Sequence, residues 1–478
     1  MDKNSVSLVS FSYNPRVKYG GQPPYNPEDN PAYNFVWKAI ERLGLGAANN
    51  PLKSIIKPGD TVLIKPNLLF HSQGTYTRPE VVRPIIDMAL VAGAKKIYIG
   101  DAGTSVPATD YTLIATHYVE MIQLLQKRNR GVKVQAINLN RLAYGWRWIN
   151  LGKCSSFYNS GYGNDELGFS RGNSLSNQKY YRVEDSFGKN PKGKPLGWYA
   201  ISNIVLDADV IINVPKMKTH NTMMATLSMK NVVGCTMAST HDEGNIRYFN
   251  LLRIPHCHVK NVNYFKNDVS GRVLHDLNKV ILYCDKNGSL KKILQRKYLT
   301  VIDGIEAMEK SNHPNYGNGV PYMRHAVLAG RNPVATDMVA CRVMGYDYRC
   351  MPTFQKAYNN TIYGIGDYNP KNIAIVGNNL DTKIHHVFEF NEDWKNDAGA
   401  LAIQEFCPPK IRKLVKEKNK IIARIDNCMV AHIMYDKQNI LNMSKNVDFY
   451  FAELPHSASD IYIVAHDKYL NSICLPIP

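Results

Sequence analysis

Three lysines and a histidine crowd one short stretch of the chain, and their spacing is what first suggests chemistry. In residues 207–236, DADVIINVPKMKTHNTMMATLSMKNVVGCT, an apolar run rich in β-branched residues is led in by Asp209 and stopped by Pro215. Proline has no N–H to give to a ladder, so the strand is expected to end there. Lys216, Lys218 and His220 follow at once, and Lys230-Asn231 close a Met-rich segment. In open α/β sheets ligands gather at the carboxyl ends of strands, so ammonium groups concentrated there suit a carboxylate or phosphate. A lysine among other cations also loses its proton more readily, which makes it a base. The plainer reading is an ordinary solvated loop, where most lysines belong.

Other candidates stand after other strand-like runs. Lys65-Pro66-Asn67 ends TVLIKPNLL, and Gly100-Asp101-Ala102-Gly103 ends KKIYIGDAG. Gly103, Thr104 and Ser105 could offer backbone N–H groups and hydroxyls to an anion. Asp303 and Glu306 lie at the end of YLTVIDGIEAM. Lys216, Lys218, Lys230 and Asp303 are therefore the candidate catalytic residues, and Lys65, Asn67, Asp101, Gly103 and Asn231 the candidate cofactor-binding ones. In IPHCHVKN, His256 and His258 flank Cys257. An H-x-H pair on an extended segment points both imidazoles to one face. With His220 they could form an open transition-metal site. They could equally bind an anion directly or line a loop.

The elements that must carry these residues alternate. VSLVSF reads as a first strand, 34–43 as a helix, TVLIKPNLL as a strand, 79–92 as a helix started by Pro79 and Glu80, and KKIYIGDAG as a third strand. Helix 110–128 and strand VKVQAINL continue the pattern. Strand, helix and strand with short connections form right-handed βαβ units of a parallel sheet. Further on, HAVLAG and RNPVATDMVACRVMG make a strand and a helix. The spacing thus predicts an α/β fold of parallel βαβ units in two lobes around a cleft. Residues 1–140 form an N-terminal α/β lobe, and 199–385 the second part of the core. Between them, 141–198 is a Gly/Ser/Asn/Tyr-rich insertion, in which Trp146, Trp148, Tyr158, Tyr162 and Trp198 line a cleft or the insertion's own core. The segment 386–478 reads as an accessory or dimerisation tail that starts with a basic amphipathic helix over 408–425.

Composition bounds the function. The 478 residues, 44% hydrophobic, carry a formal net charge of +18, which implies anionic partners. Lys and Arg are spread along the chain instead of forming one arm, which argues against nucleic acid. The nine cysteines form no C-x-x-C pair, so iron–sulfur and zinc-ribbon spacings are absent. Their odd count and scatter fit reduced thiols in a cytoplasmic protein. No segment is apolar over the ~18 residues that span a bilayer, and MDKNSVSLVSFS lacks the apolar core of a signal peptide.

These blocks in this order resemble the domain-of-unknown-function family numbered 362. The resemblance covers roughly residues 5–376 and rests on VLIKPNLL, EVVRPIIDMALVAGAKKIYIGDAG, DADVIINVPKMKTH, LSMKNVVGC, IPHCH, VIDGIEAME and GRNPVATDMVACRVMGYD. Many members append a ferredoxin-like cysteine module, which implies redox work for them; this chain has no such motif. A fainter resemblance is to the nickel-pincer lactate racemases, which place a nickel-ligating His after an acidic-led apolar strand and a nucleotide-bearing Lys ten positions later. His220 and Lys230 have that spacing, but LSMKN replaces the racemase's glycine-rich approach and GDAGTS lacks its early His. The resemblance implies two α/β lobes around a cleft, with a metal or cofactor at His220 and Lys230. Three function classes follow: an enzyme acting on an anionic small molecule by metal- or cofactor-assisted proton transfer or isomerisation, an oxidoreductase fed by a separate partner, and a polyanion or nucleic-acid binder. No residue pattern names the substrate or cofactor.

Overall fold

The computed structural model describes residues 4–10, 19–157, 198–220, 223–236, 268–311, 318–355, 363–377, 386–390, 409–436, 439–468 and 470–478. Its centre is one ten-stranded sheet. The strands are β1 (Ser5–Ser10), β2 (Thr61–Pro66), β3 (Lys96–Asp101) and β4 (Lys133–Asn138), then, after the hairpin β5 (Trp146–Asn150) and β6 (Trp198–Ser202), β7 (Val210–Val214), β8 (Lys216–His220), β9 (Met224–Thr226), β10 (Lys297–Glu309), β11 (Val320–Gly330) and β12 (Ala374–Val376). The order across the sheet is β12-β1-β11-β10-β7-β2-β3-β4, with β8 also beside β10 and β9 beside β8. From β10 to β4 neighbouring strands run parallel, while β11 is antiparallel to both β10 and β1.

The sequence dictates this locally. VIINV is buried at every position, as a strand covered by helices on both faces must be. Alternate residues feed two cores: Leu63 and Ile211 pack on one side, and Val62, Ile64, Val210 and Ile212 on the other. The helix Pro79–Val91 begins with proline at its first turn, and the helix Pro333–Val343 is capped by Asn332, whose side chain accepts from Val334 and Ala335 N–H at 3.0 and 3.1 Å. The α/β class of parallel βαβ units is present, and segments 1–140 and 199–385 share the one sheet.

Several local expectations are corrected. The apolar strand ends at Pro215 as expected, with β7 closing at Val214, but the extended backbone does not. Pro215 interrupts it, and Lys216–His220 continues as β8, whose partners are β10 and β9. The loss of one N–H matters only on the side where that N–H would have paired. The KMKTH lysines are accordingly no solvated loop, since every residue of β8 is buried. Helix 110–128 is two helices, Val106–Ala115 and Tyr118–Arg128, parted at His117, whose φ of 60° is left-handed. The break turns Tyr118 inward, where its hydroxyl donates to the Thr77 carbonyl at 2.9 Å.

The expected helix over 408–425 is instead a hairpin of β13 (Lys410–Glu417) and β14 (Lys420–Asp426). Ile421, Ala423 and Ile425 are its buried residues, a period of two that belongs to a strand. The rest of the C-terminal segment is β15 (Val430–Tyr435), β16 (Asn439–Asn442), β17 (Ser444–Asn446), β18 (Phe449–Glu453), β19 (Tyr462–His466) and β20 (Ser472–Pro476). They make two small antiparallel sheets, β13-β14-β18-β17 and β16-β15-β19-β20, around a core of their own. Within the insertion, β5 pairs antiparallel with β6 and brings its two ends together; Tyr158 and Tyr162 lie outside the described residues.

Candidate functional site

Because β10, β7, β2 and β3 are neighbours and parallel, the residues at the carboxyl ends of β7, β2 and β3 meet the middle of the longer β10 at one rim. Lys65 Nζ lies 2.7 Å from Asp101 Oδ1, and Lys216 Nζ lies 2.9 Å from Asp303 Oδ2. Backbone N–H groups hold both acids. Asp101 Oδ2 accepts from Leu68 at 2.7 Å, and Asp303 accepts from Arg78 at 2.9 Å and Ile305 at 3.2 Å. The Lys216–Asp303 side chains are fully buried, so this pair is part of the interior and does not line an open cleft. A buried pair of this kind is expensive to break, because the survivor is left as an uncompensated charge.

Lys218 differs from both. It is fully buried, and its Nζ donates to two neutral acceptors, Asn67 Oδ1 at 3.0 Å and the Thr75 carbonyl at 2.7 Å. Burial first, then the charges of Lys230 and Lys216, push its ammonium well below the usual lysine range. Asparagines fix the surroundings. Asn67 donates to Asn231 Oδ1 at 2.9 Å, and Asn231 donates to Asn213 Oδ1 at 2.7 Å and to the Lys65 carbonyl at 3.2 Å. Lys230 sits on the short helix Ser228–Asn231, and the N–H groups of Ser228 and Met229 donate to Asp337 at 2.7 and 2.8 Å. Burial pushes the Asp337 carboxyl up to about 8, against the pull of those two N–H groups.

The structure thus brings Lys65, Asn67, Asp101, Lys218 and Asn231 into one network, with the Lys216–Asp303 pair and Lys230 beside it. Gly103 has a different use: a Cβ there would collide with the Leu68 carbonyl, so the glycine permits a close backbone approach. Ser105 caps the helix Val106–Ala115. Thr75, Arg78, Asn213 and Asp337 were not among the candidates. Only Asn213 carried a signal, as a polar residue inside an apolar strand.

His220 is buried on β8, and its Nδ1 accepts from the Met223 N–H at 3.2 Å. In the neutral ring this puts the proton on Nε2. His256 and His258 lie outside the described residues. Among the described residues no three His, Cys, Asp or Glu side chains are placed to hold a metal ion.

The arrangement defines an α/β protein with a buried lysine network at the carboxyl rim of a parallel sheet. The chain belongs to the family described as Domain of unknown function (DUF362), whose profile matches residues 62–153 and 170–342. It is similar to a thylakoid-associated protein of Synechocystis sp., with 27% identity over 307 residues, 63% of this chain and 68% of the relative. A crystal structure of a protein from Thermotoga maritima aligns at 10% identity and a TM-score of 0.28, over 67% of this chain, and the chain spans 60% of that structure's length. The likeness to nickel-pincer racemases gains no support from these comparisons. Among the described residues no helix is long and apolar enough to cross a membrane.

Proposed function

We propose that the protein is an enzyme acting on a small molecule that bears a carboxylate or phosphate, with Lys218 as the group that moves a proton. One observation carries this reading: a fully buried lysine whose hydrogen-bond partners are neutral and whose ammonium form is disfavoured by burial and by neighbouring lysines, against the pull of Asp101. A neutral amine has two N–H bonds and one lone pair. Asn67 and Thr75 accept the two N–H bonds, which leaves the lone pair to take a proton. Lys230 supplies positive potential to an incoming anion, and the anion in turn favours the ammonium form of Lys218. Proton transfer at a carbon or oxygen next to the anionic group, as in an isomerisation, is the chemistry such an amine serves.

The test is calorimetric titration with inorganic phosphate and with malonate, in buffers of different ionisation heat. Binding should take up protons in the wild type. Lys218→Met should abolish the uptake and weaken binding by ~1.5–3 kcal/mol, the range for hydrogen bonds to charged groups. Binding without proton uptake, no binding of either anion, or unchanged affinity in Lys218→Met would each refute the reading.

A further inference from the structure

A cavity of about 1120 Å³ opens at the opposite rim of the sheet, where Asp60, Asp209 and Lys297 mark the amino-terminal ends of β2, β7 and β10. Its charges are unevenly committed. Asp60 accepts from the Lys57 N–H at 2.8 Å, Asp209 from the Thr61 N–H at 2.9 Å, and Asp367 from the Asn369 N–H at 2.8 Å and from Asn4 and Asn372 at 3.1 and 2.6 Å. These bonds fix each acid in place but leave its charge, and the four cations of the lining, Lys57, Arg296, Lys297 and Arg331, outnumber the three acids. Arg296 is spent on the carbonyls of Leu206, Ala208, Ile281 and Cys284. By contrast, the guanidinium of Arg331 and the ammonium of Lys57 make no hydrogen bond or ion pair with the described residues. The first N–H groups of the neighbouring helix Pro333–Val343 are already taken by Asn332, so charge in the cavity must be met by side chains.

We infer that this cavity binds a phosphate ester with a planar apolar portion, held through its phosphate by Arg331 and Lys57. The arginine fork matches two phosphate oxygens at once, and lysine adds a point charge. Among its lining residues, half-buried Tyr368 and exposed Leu294 give the apolar part a surface. The volume lies just above the usual range for small-molecule sites, roughly 300–1,000 Å³. The site is separate from the lysine network, which lies at the other ends of the same strands.

Adenosine monophosphate is the probe, titrated by calorimetry into the full chain, with adenosine as the phosphate-free control. Wild type should bind the nucleotide, and adenosine should bind about tenfold more weakly or worse, as expected when a charge-assisted hydrogen bond is lost. Arg331→Gln and Lys57→Gln should each weaken the nucleotide by a similar factor while keeping the wild-type melting temperature, since both side chains reach solvent. Lys218→Met should bind it as the wild type does. No binding of the nucleotide, equal binding of adenosine, or unchanged affinity in Arg331→Gln would overturn the inference. Loss in Lys218→Met alone would move the ligand to the other rim and overturn it too.

Discussion

At the scale of single residues, three lysines of the rim divide by partner. Lys65 and Lys216 each face a carboxylate, whereas Lys218 donates to an amide and a carbonyl. The division gives opposite expectations for substitution. Asp303→Asn leaves Lys216 buried without its counter-charge and should lower unfolding free energy by ~3–5 kcal/mol in urea titrations. Gly234→Ala should cost ~1–3 kcal/mol, because its Cβ would collide with Asp101 Oδ1 and crowd Lys65 Nζ. Lys218→Met should instead change how stability depends on pH. A lysine depressed in the fold binds fewer protons than in the unfolded chain, so wild-type stability rises with pH until the ordinary lysine value, ~10.4, is passed. The variant should lose that slope, and chemical denaturation at a series of pH values would measure it.

At the scale of elements, the least expected contact is between the C-terminal sheets and the edge of the large one. β12 is the edge strand, and the carbonyls of Ile375 within it and of Ile373 just before it meet His432 Nε2 at 2.9 Å and His466 Nε2 at 2.8 Å. Both imidazoles are fully buried, and burial depresses both, His432 from 6.5 to about 3. A histidine depressed in the fold takes up a proton on unfolding, so its contribution is complete above pH ~6.5 and is lost as pH falls toward the folded value. Hydrogen-exchange protection in β15 and β19, taken relative to the intrinsic rate at each pH, should therefore fall between pH 6.5 and 3. His432→Phe, which leaves the Ile375 carbonyl without a donor, should cost ~1–3 kcal/mol at neutral pH.

Legibility in the sequence follows the range of the interactions. β2, β3 and β7 could be read because a strand buried on both faces is one continuous apolar run. That Lys216 and Lys218 are interior could not, because their partners come from residues 67, 75 and 303, distant in the chain. The hairpin over 410–426 was masked by its lysines, which suit a helix face as well as a strand, although IIARI alternates with the period of a strand. Edge-capping histidines leave no local signature, since the pairing is set by a strand some 60–90 residues away.

At the scale of the whole molecule, the C-terminal sheets act as a cover for that edge. A chain ending near residue 390 should keep the central sheet but present the outer side of β12, an invitation to pair with another copy. Sedimentation velocity should then show self-association that the full chain does not. The strand order also sets a timetable for synthesis. β1 leaves the ribosome first, yet its partners, β11 and β12, begin at residues 320 and 374. β2, β3 and β4 can pair as they emerge, but the open side of β2 must wait for β7, some 140 residues later. During that interval the nascent chain carries a half-built sheet with a bare apolar edge, the condition under which a chaperone is needed. The middle of the sheet, β7 and β10, is made late, so the lysine rim takes shape only when most of the chain has already been translated.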